Sequence, residues 1–263
     1  MNFKHLKLVL FVHLSALLIS CAAYKPSVIN PDFRPIDLNS QVQAGLLKPK
    51  VDNFYVILDA SGSQDETYRG YTKFAIAQDF LSRFNQTIPD VPLIGALRGF
   101  GHSRYPFVQK TKLYYGPTAY NKAGFQAAVD QIAWGGAGSP VDLALDSTAA
   151  DMTPQTGRTA VILVGDGQYD GYDPVGAAKR MKTQYGDNVC IYTVLVGSED
   201  PAAIKCMKDI AAAGGCGFYQ SAKYLESPQA MASWVEAVLF EKTAPKAAAP
   251  DLAVQPIGCI LIN

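Results

Sequence analysis

Histidine is almost missing from this 263-residue chain, with only His5, His13 and His102 present. The first two fall in an apolar N-terminal segment, so a Ser-His-Asp or Cys-His mechanism would have one imidazole to draw on, and a histidine-built zinc site is excluded. Cysteine is scarce as well. There are five, none in a Cys-x-x-C pair, which argues against metal binding or redox catalysis by these residues. Charge of one sign is also lacking. The 23 basic and 23 acidic residues balance and no basic run stands out, so nucleic acid is not expected as a partner. The apolar run from Leu8 to Ile19 is too short to span a bilayer as a mature helix.

That short run has a different use. Lys4 and Lys7 precede it and Cys21 follows it, which is the layout of a secretory signal over residues 1–20. The tetrad Leu18-Ile19-Ser20-Cys21 resembles the bacterial lipobox, in which cleavage leaves an acylated cysteine as the first mature residue. The resemblance implies lipidation of Cys21, export, an oxidising compartment and a membrane tether in place of a span. Ala22, where an Asp would signal retention, points by the same resemblance to the outer membrane, facing the periplasm. The plainer alternative is an ordinary signal peptide followed by a chance cysteine. Loss of Lys4 and Lys7 from the 23 basic residues would leave 21 against 23 acidic ones.

Residues 21–50 carry Pro26, Pro31, Pro35 and Pro49 with little periodicity, and read as a tether. From residue 51 a rhythm begins. Asn53–Asp59, Leu93–Phe100, Lys112–Tyr115, Thr159–Gly165, Val189–Val196 and Cys216–Gln220 read as strands. Helices are expected at about 72–88, 121–132, 140–151, 173–185, 200–213 and 228–241. Several of these strands are apolar throughout, as strands buried on both faces must be. The expectation is an α/β domain over residues 51–241, a doubly wound, mostly parallel six-stranded sheet with helices on both faces. Residues 242–263 read as an Ala/Pro-rich linker and tail.

With Cys21 assigned to lipid, Cys190, Cys206, Cys216 and Cys259 remain. Cys190 and Cys216 open successive strand-like runs. If those strands are parallel neighbours, both sulfurs lie at one edge of the sheet, which favours a Cys190–Cys216 disulfide. Free buried thiols are the alternative, and Cys206 and Cys259 are left unassigned.

In such a sheet the ligand site lies beyond the carboxyl ends of the strands, where strand order reverses. Three segments fall there: Asp59-Ala60-Ser61-Gly62-Ser63, the Gly-rich stretch Gly135–Pro140 containing Ser139, and Asp166-Gly167. They offer two carboxylates and three hydroxyls. This hard-oxygen set, without sulfur or imidazole, suits Mg²⁺, with Mn²⁺ or Ca²⁺ as alternatives. A reading without metal has Asp59 and the serines cap the helix near Thr72 or close the turn. The acidic stretch Asp166, Asp170 and Asp173 lacks calcium-loop spacing and reads as a solvated loop.

Asp-x-Ser-x-Ser after an apolar strand, a hydroxyl in a Gly-rich loop and a later Asp-Gly together resemble the metal-ion-dependent adhesion site (MIDAS) of von Willebrand factor A (VWFA) domains. The resemblance spans about residues 52–241. It implies that Ser61 and Ser63 ligate the metal directly, that Asp59 and Asp166 act directly or through water, and that Ser139 stands where the family usually has Thr. It further implies a binding function, in which an acidic side chain of an exported or envelope protein fills the open metal position. Val189–Gly197 and Ala213–Phe218 resemble the A-type domains of bacterial lipoproteins that also carry an OmpA-type peptidoglycan-binding domain. The Ala/Pro linker ends where that domain would begin, so a short form or a truncated chain is expected and peptidoglycan anchoring is not carried over. Two other readings stand beside this one: a structural envelope lipoprotein with a vestigial site, and a metal-dependent hydrolase using Asp59. Against the hydrolase, the motif has no second Asp two residues on, no general-acid histidine and no adjoining Lys.

Overall fold

The computed structural model of the protein describes residues 29–103, 110–170 and 173–243. In chain order the strands are β1 (Leu47–Pro49), β2 (Asn53–Asp59), β3 (Thr67–Tyr68), β4 (Tyr71–Thr72), β5 (Ile94–Phe100), β6 (Thr111–Ala119), β7 (Thr159–Gly165), β8 (Val189–Leu195), β9 (Tyr219–Ser221) and β10 (Phe240–Lys242). The helices are α1 (Asn39–Gln43), α2 (Lys73–Thr87), α3 (Lys122–Gln131), α4 (Val141–Met152), α5 (Pro174–Tyr185), α6 (Pro201–Ala213) and α7 (Pro228–Leu239).

Six strands form one sheet in the order β6-β5-β2-β7-β8-β9. All neighbours run parallel except β6, which pairs antiparallel with β5 at the edge. Alternate side chains of β2 feed two cores, as the pleat requires. Phe54, Val56 and Leu58 pack beneath α2, α3 and α7, while Tyr55 and Ile57 pack beneath α4, α5 and α6. Every residue of β2 and β7 is buried, which is why both read as unbroken apolar runs in the sequence. The helices on the first face are locked by aromatic edges: Trp234 of α7 meets Phe80 and Phe84 of α2 at ring-centroid distances of 5.4 and 5.6 Å.

Topology then fixes where a site can form. From β2 the chain crosses to β5 and β6 on one side, and returns to β7 on the other. The loops leaving β2 and β7 therefore part at the reversal point and leave a crevice between them.

The structure departs from the sequence reading at both ends of the domain. Over residues 29–50 the expected tether is packed structure: Phe33, Leu38 and Leu47 are buried in the α2/α3/α7 core, and β1 pairs antiparallel with β10. The last helix stops at Leu239, two residues short of expectation, because Phe240–Lys242 turns to extended backbone to make that pair. A three-residue strand whose partner lies some 190 positions away leaves no periodicity to detect. Leu47 is 2% exposed. Leu47→Ala is expected to cost about 2 kcal/mol of unfolding free energy by removing a buried side chain from this clasp, as measured by urea denaturation. A true tether would register no change.

Cys190 and Cys216 form a disulfide with Cα atoms 5.0 Å apart. Cys206 is a free, half-buried thiol. Cys21 and Cys259 lie outside the described residues. No helix among the described residues is long and apolar enough to cross a membrane.

Candidate metal centre

Asp59 ends β2, and its side chain folds back onto the loop it starts. One carboxylate oxygen, Oδ1, accepts the Ser61 backbone N–H at 2.8 Å, and Oδ2 accepts the Gln64 Nε2–H at 3.2 Å. This Asx-type turn carries the chain into a short 3-10 segment at Gly62–Asp65. Helix capping does not account for Asp59 and the serines. The α2 cap is Thr72, whose Oγ accepts from the Ala75 N–H at 3.1 Å, and Ser61 makes no side-chain cap bond. The hydroxyls of Ser61 and Ser63 instead face one another at 3.3 Å. Oxygens ~2.0–2.1 Å from an octahedral ion sit about 3 Å apart, so this spacing is close to one ligand edge.

The other loops close on this one. Gly62 N–H donates to Ala137 O at 2.8 Å, and Trp134 Nε1–H donates to Ser61 O at 2.8 Å, bringing the Gly-rich stretch against the serine loop. Gly101, the residue after β5, backs it: at φ +70°, a Cβ there would stand 2.6 Å from Ser61 Cα, so glycine is the residue that fits. Ser139 is buried, and its N–H donates to Asp170 Oδ2 at 2.7 Å. Asp170 is thus a fastener between the two loops, and Asp173 caps α5 through the Gly176 N–H, where the sequence suggested only a solvated stretch. Arg98, on β5 near this end of the sheet, is committed to Asp151.

Asp166 follows directly on β7 in full burial, its Oδ1 accepting from Gln168 N–H at 3.1 Å. Its Oδ2 accepts from Lys73 Nζ at 3.0 Å, and the same ammonium reaches Glu66 Oε2 at 2.5 Å. The absence of a lysine beside the motif in sequence therefore does not hold in space. The β3–β4 hairpin folds residues 66–73 back and delivers Lys73 to the centre. Burial alone would lower the Lys73 pKa, but its bonds to Glu66 and Asp166 outweigh that and hold it above the usual lysine range, so it stays charged. Asp59 is pushed the other way for a carboxyl, up to about 7, first by burial and then by the negative charge of Asp166.

Sequence reasoning missed Lys73, Gln64 and Trp134. Gln64 sits one residue past the motif, and Trp134 directly precedes the glycines. Lys73 carries no local signal, since only the hairpin puts it there.

Residues from three loops thus meet in one crevice: two buried carboxylates that repel each other, and two hydroxyls at ligand-edge spacing. Gln64 Oε1 is also buried with no hydrogen-bond partner among the described residues. Those residues contain no cluster of three His, Cys, Asp or Glu side chains that could hold a metal, so any ion here would rest largely on hydroxyls. The donor chemistry fits Mg²⁺ or Mn²⁺, being hard and carboxylate-poor, although the Lys73 ammonium already holds one of the two carboxylates.

No protein-family model matches the chain, and no curated protein matches its sequence. Solved structures do match in fold. An aerotolerance-related membrane protein from Bacteroides fragilis superposes with a TM-score of 0.53 at 17% identity, covering 71% of this chain and 96% of that one. A von Willebrand factor type A protein from Catenulispora acidiphila gives 0.52 at 19% identity, covering 70% of this chain and 41% of that one. The manganese-loaded TRAP protein of Plasmodium vivax gives 0.51 at 16% identity, covering 75% and 78%. The fold is that of the von Willebrand factor A domain.

Proposed function

We propose that this protein is a lipid-anchored binding module of the cell envelope, in which the A-type domain grips an exported partner through a Mg²⁺ held by Ser61, Ser63, Ser139, Asp59 and Asp166. The observation that carries this reading is the pairing of Asp59 and Asp166 in one buried crevice with facing serine hydroxyls. Lys73 offsets the charge of one carboxylate, Asp166, and leaves Asp59 beside it without a cation of its own, while hydroxyl donors would leave most of a bound ion's charge available to a further ligand. An acidic side chain of the partner is the natural complement. The manganese in the TRAP structure supports a divalent ion in this fold, and the name of the Bacteroides match supports an envelope setting. Cys21, the proposed lipidation site, lies outside the described residues.

A second reading has one observation in its favour. The Lys73 ammonium already touches Asp166, as it would in a structural lipoprotein whose metal site is vestigial. Calorimetric titration of the purified protein with Mn²⁺ separates the two. The binding-module reading predicts saturable, one-to-one binding that weakens roughly tenfold or more in Ser61→Ala, as expected for loss of a ligand. No heat of binding in the native protein would leave the structural reading in place.

A further inference from the structure

We propose that Lys73 is a tethered cation that competes with the divalent ion for Asp166 and retreats to Glu66 when the ion is bound. This rests on the metal-centre reading above and assigns that centre a built-in regulator. Lys73 Nζ lies between an acceptor in full burial, Asp166, and an acceptor at the rim, Glu66, whose side chain is 58% exposed. Its own side chain is 6% exposed, so it has no ready route to bulk water. Both ends of the residue are tied to Glu66, because the Lys73 backbone N–H also donates to Glu66 O at 2.9 Å. Gly197 confines the stem: at φ +59°, a Cβ there would come within 2.6 Å of Lys73 Cγ and 3.2 Å of Tyr68 Cβ. The ammonium therefore bridges both carboxylates at once, and giving up Asp166 leaves it seated on Glu66.

The electrostatics follow. An ammonium and a divalent ion on one buried carboxylate repel strongly at low dielectric. A compact, strongly hydrated ammonium also needs an acceptor wherever it goes. Glu66 supplies that acceptor without requiring Lys73 to leave its channel. Lys73 thus neutralises Asp166 in the ion-free centre and weakens the ion's hold, and Glu66 limits that weakening.

The test is a double-mutant cycle on Mn²⁺ affinity, read by calorimetry and by the free-ion signal in electron paramagnetic resonance. Lys73→Met should bind Mn²⁺ about tenfold more tightly or better. Glu66→Gln should bind several-fold more weakly, because Lys73 loses its second seat. In the Lys73→Met background the Glu66→Gln effect should vanish, since Glu66 acts through Lys73. Unchanged affinity in Lys73→Met, or an equal Glu66→Gln effect in both backgrounds, overturns the proposal while leaving the metal centre standing. Absence of Mn²⁺ binding in all four proteins overturns the metal reading and the proposal together. Glu66→Gln alters a rim side chain and should not disturb folding, so unchanged affinity there overturns the proposal even where Lys73→Met is unstable.

Discussion

Asp59→Asn is expected to raise the thermal midpoint of the metal-free protein at pH 8 by several degrees and, in the same molecule, to weaken Mn²⁺ binding at least ~100-fold. The two effects have one cause. The native centre buries Asp59 beside Asp166, and its carboxyl titrates at about 7 instead of in the usual carboxylate range. A folded-state pKa raised above the unfolded value contributes stability that is fully present below the unfolded pKa, near ~3.9, and lost as pH climbs through the folded value. The metal-free native protein therefore gives up a few kcal/mol between about pH 4 and pH 7 that the amide variant does not lose. The advantage of Asp59→Asn should be largest above pH 7 and shrink towards pH 5.

Geometry allows the swap. The new side-chain oxygen can still accept the Ser61 N–H, and the new amide N–H₂ needs an acceptor where Gln64 now donates. Gln64 can reverse its amide, which turns its buried, unpartnered Oε1 to that role. Saturating Mn²⁺ should invert the ranking, since the native protein gains RT ln(1 + [L]/Kd) and the variant gains almost nothing. Thermal melts at pH 5 and pH 8, with and without Mn²⁺, measure all four quantities. A variant less stable than native at pH 8 without metal would mean that Asp59 is not held against its charge, and the argument for a cation would fall with it.

How much of this was legible follows from the physics of each part. Strands β2, β7 and β8 could be read because burial on both faces leaves unbroken apolar runs, and α2 because Phe74, Ala77, Phe80, Leu81 and Phe84 repeat at helical spacing. The three loops of the candidate centre could be placed beside one another because a doubly wound sheet gathers its ligand crevice at the reversal point. Strand β6 was seen only in part, as 112–115 within Thr111–Ala119. It is a half-exposed edge strand, interrupted in sequence by Gly116-Pro117 and in register by bulges against β5. The β1–β10 clasp could not be read, being two three-residue strands joined across nearly the whole domain. Lys73 is the instructive miss at the centre. Its role depends on a two-stranded hairpin too short to announce itself, and on Gly197, which reads as a turn residue and serves to make room.

Breaking the Cys190–Cys216 disulfide should produce the other large effect. The bond closes a loop of 26 residues. Chain-entropy arguments put the loss at about 3–4 kcal/mol for a loop of that size. The local structure gives the bond further leverage. The loop from α6 into β9 lies directly on β8: a Cβ at Gly217 would overlap Ile191 O at 1.7 Å, and one at Gly214 would sit 2.6 Å from Ile191 Cβ. Strand β9 then pairs with β8 over only three residues, Tyr219–Ser221. So short an edge strand needs its entry fixed, and Cys216 fixes it four residues upstream of Gln220. The remaining described thiol does not threaten this arrangement. Burial pushes the Cys206 pKa up to about 11, so little of the thiolate needed for exchange exists at neutral pH. Cys190→Ser with Cys216→Ser should therefore lower the urea-unfolding free energy by about 3–4 kcal/mol, and reducing the native protein should lower it by a similar amount. Mn²⁺ affinity should change little, because the bond lies at the amino end of β8 while the centre gathers at the carboxyl ends of the strands. Stability unchanged on reduction would mean that the loop is held by its glycine contacts alone.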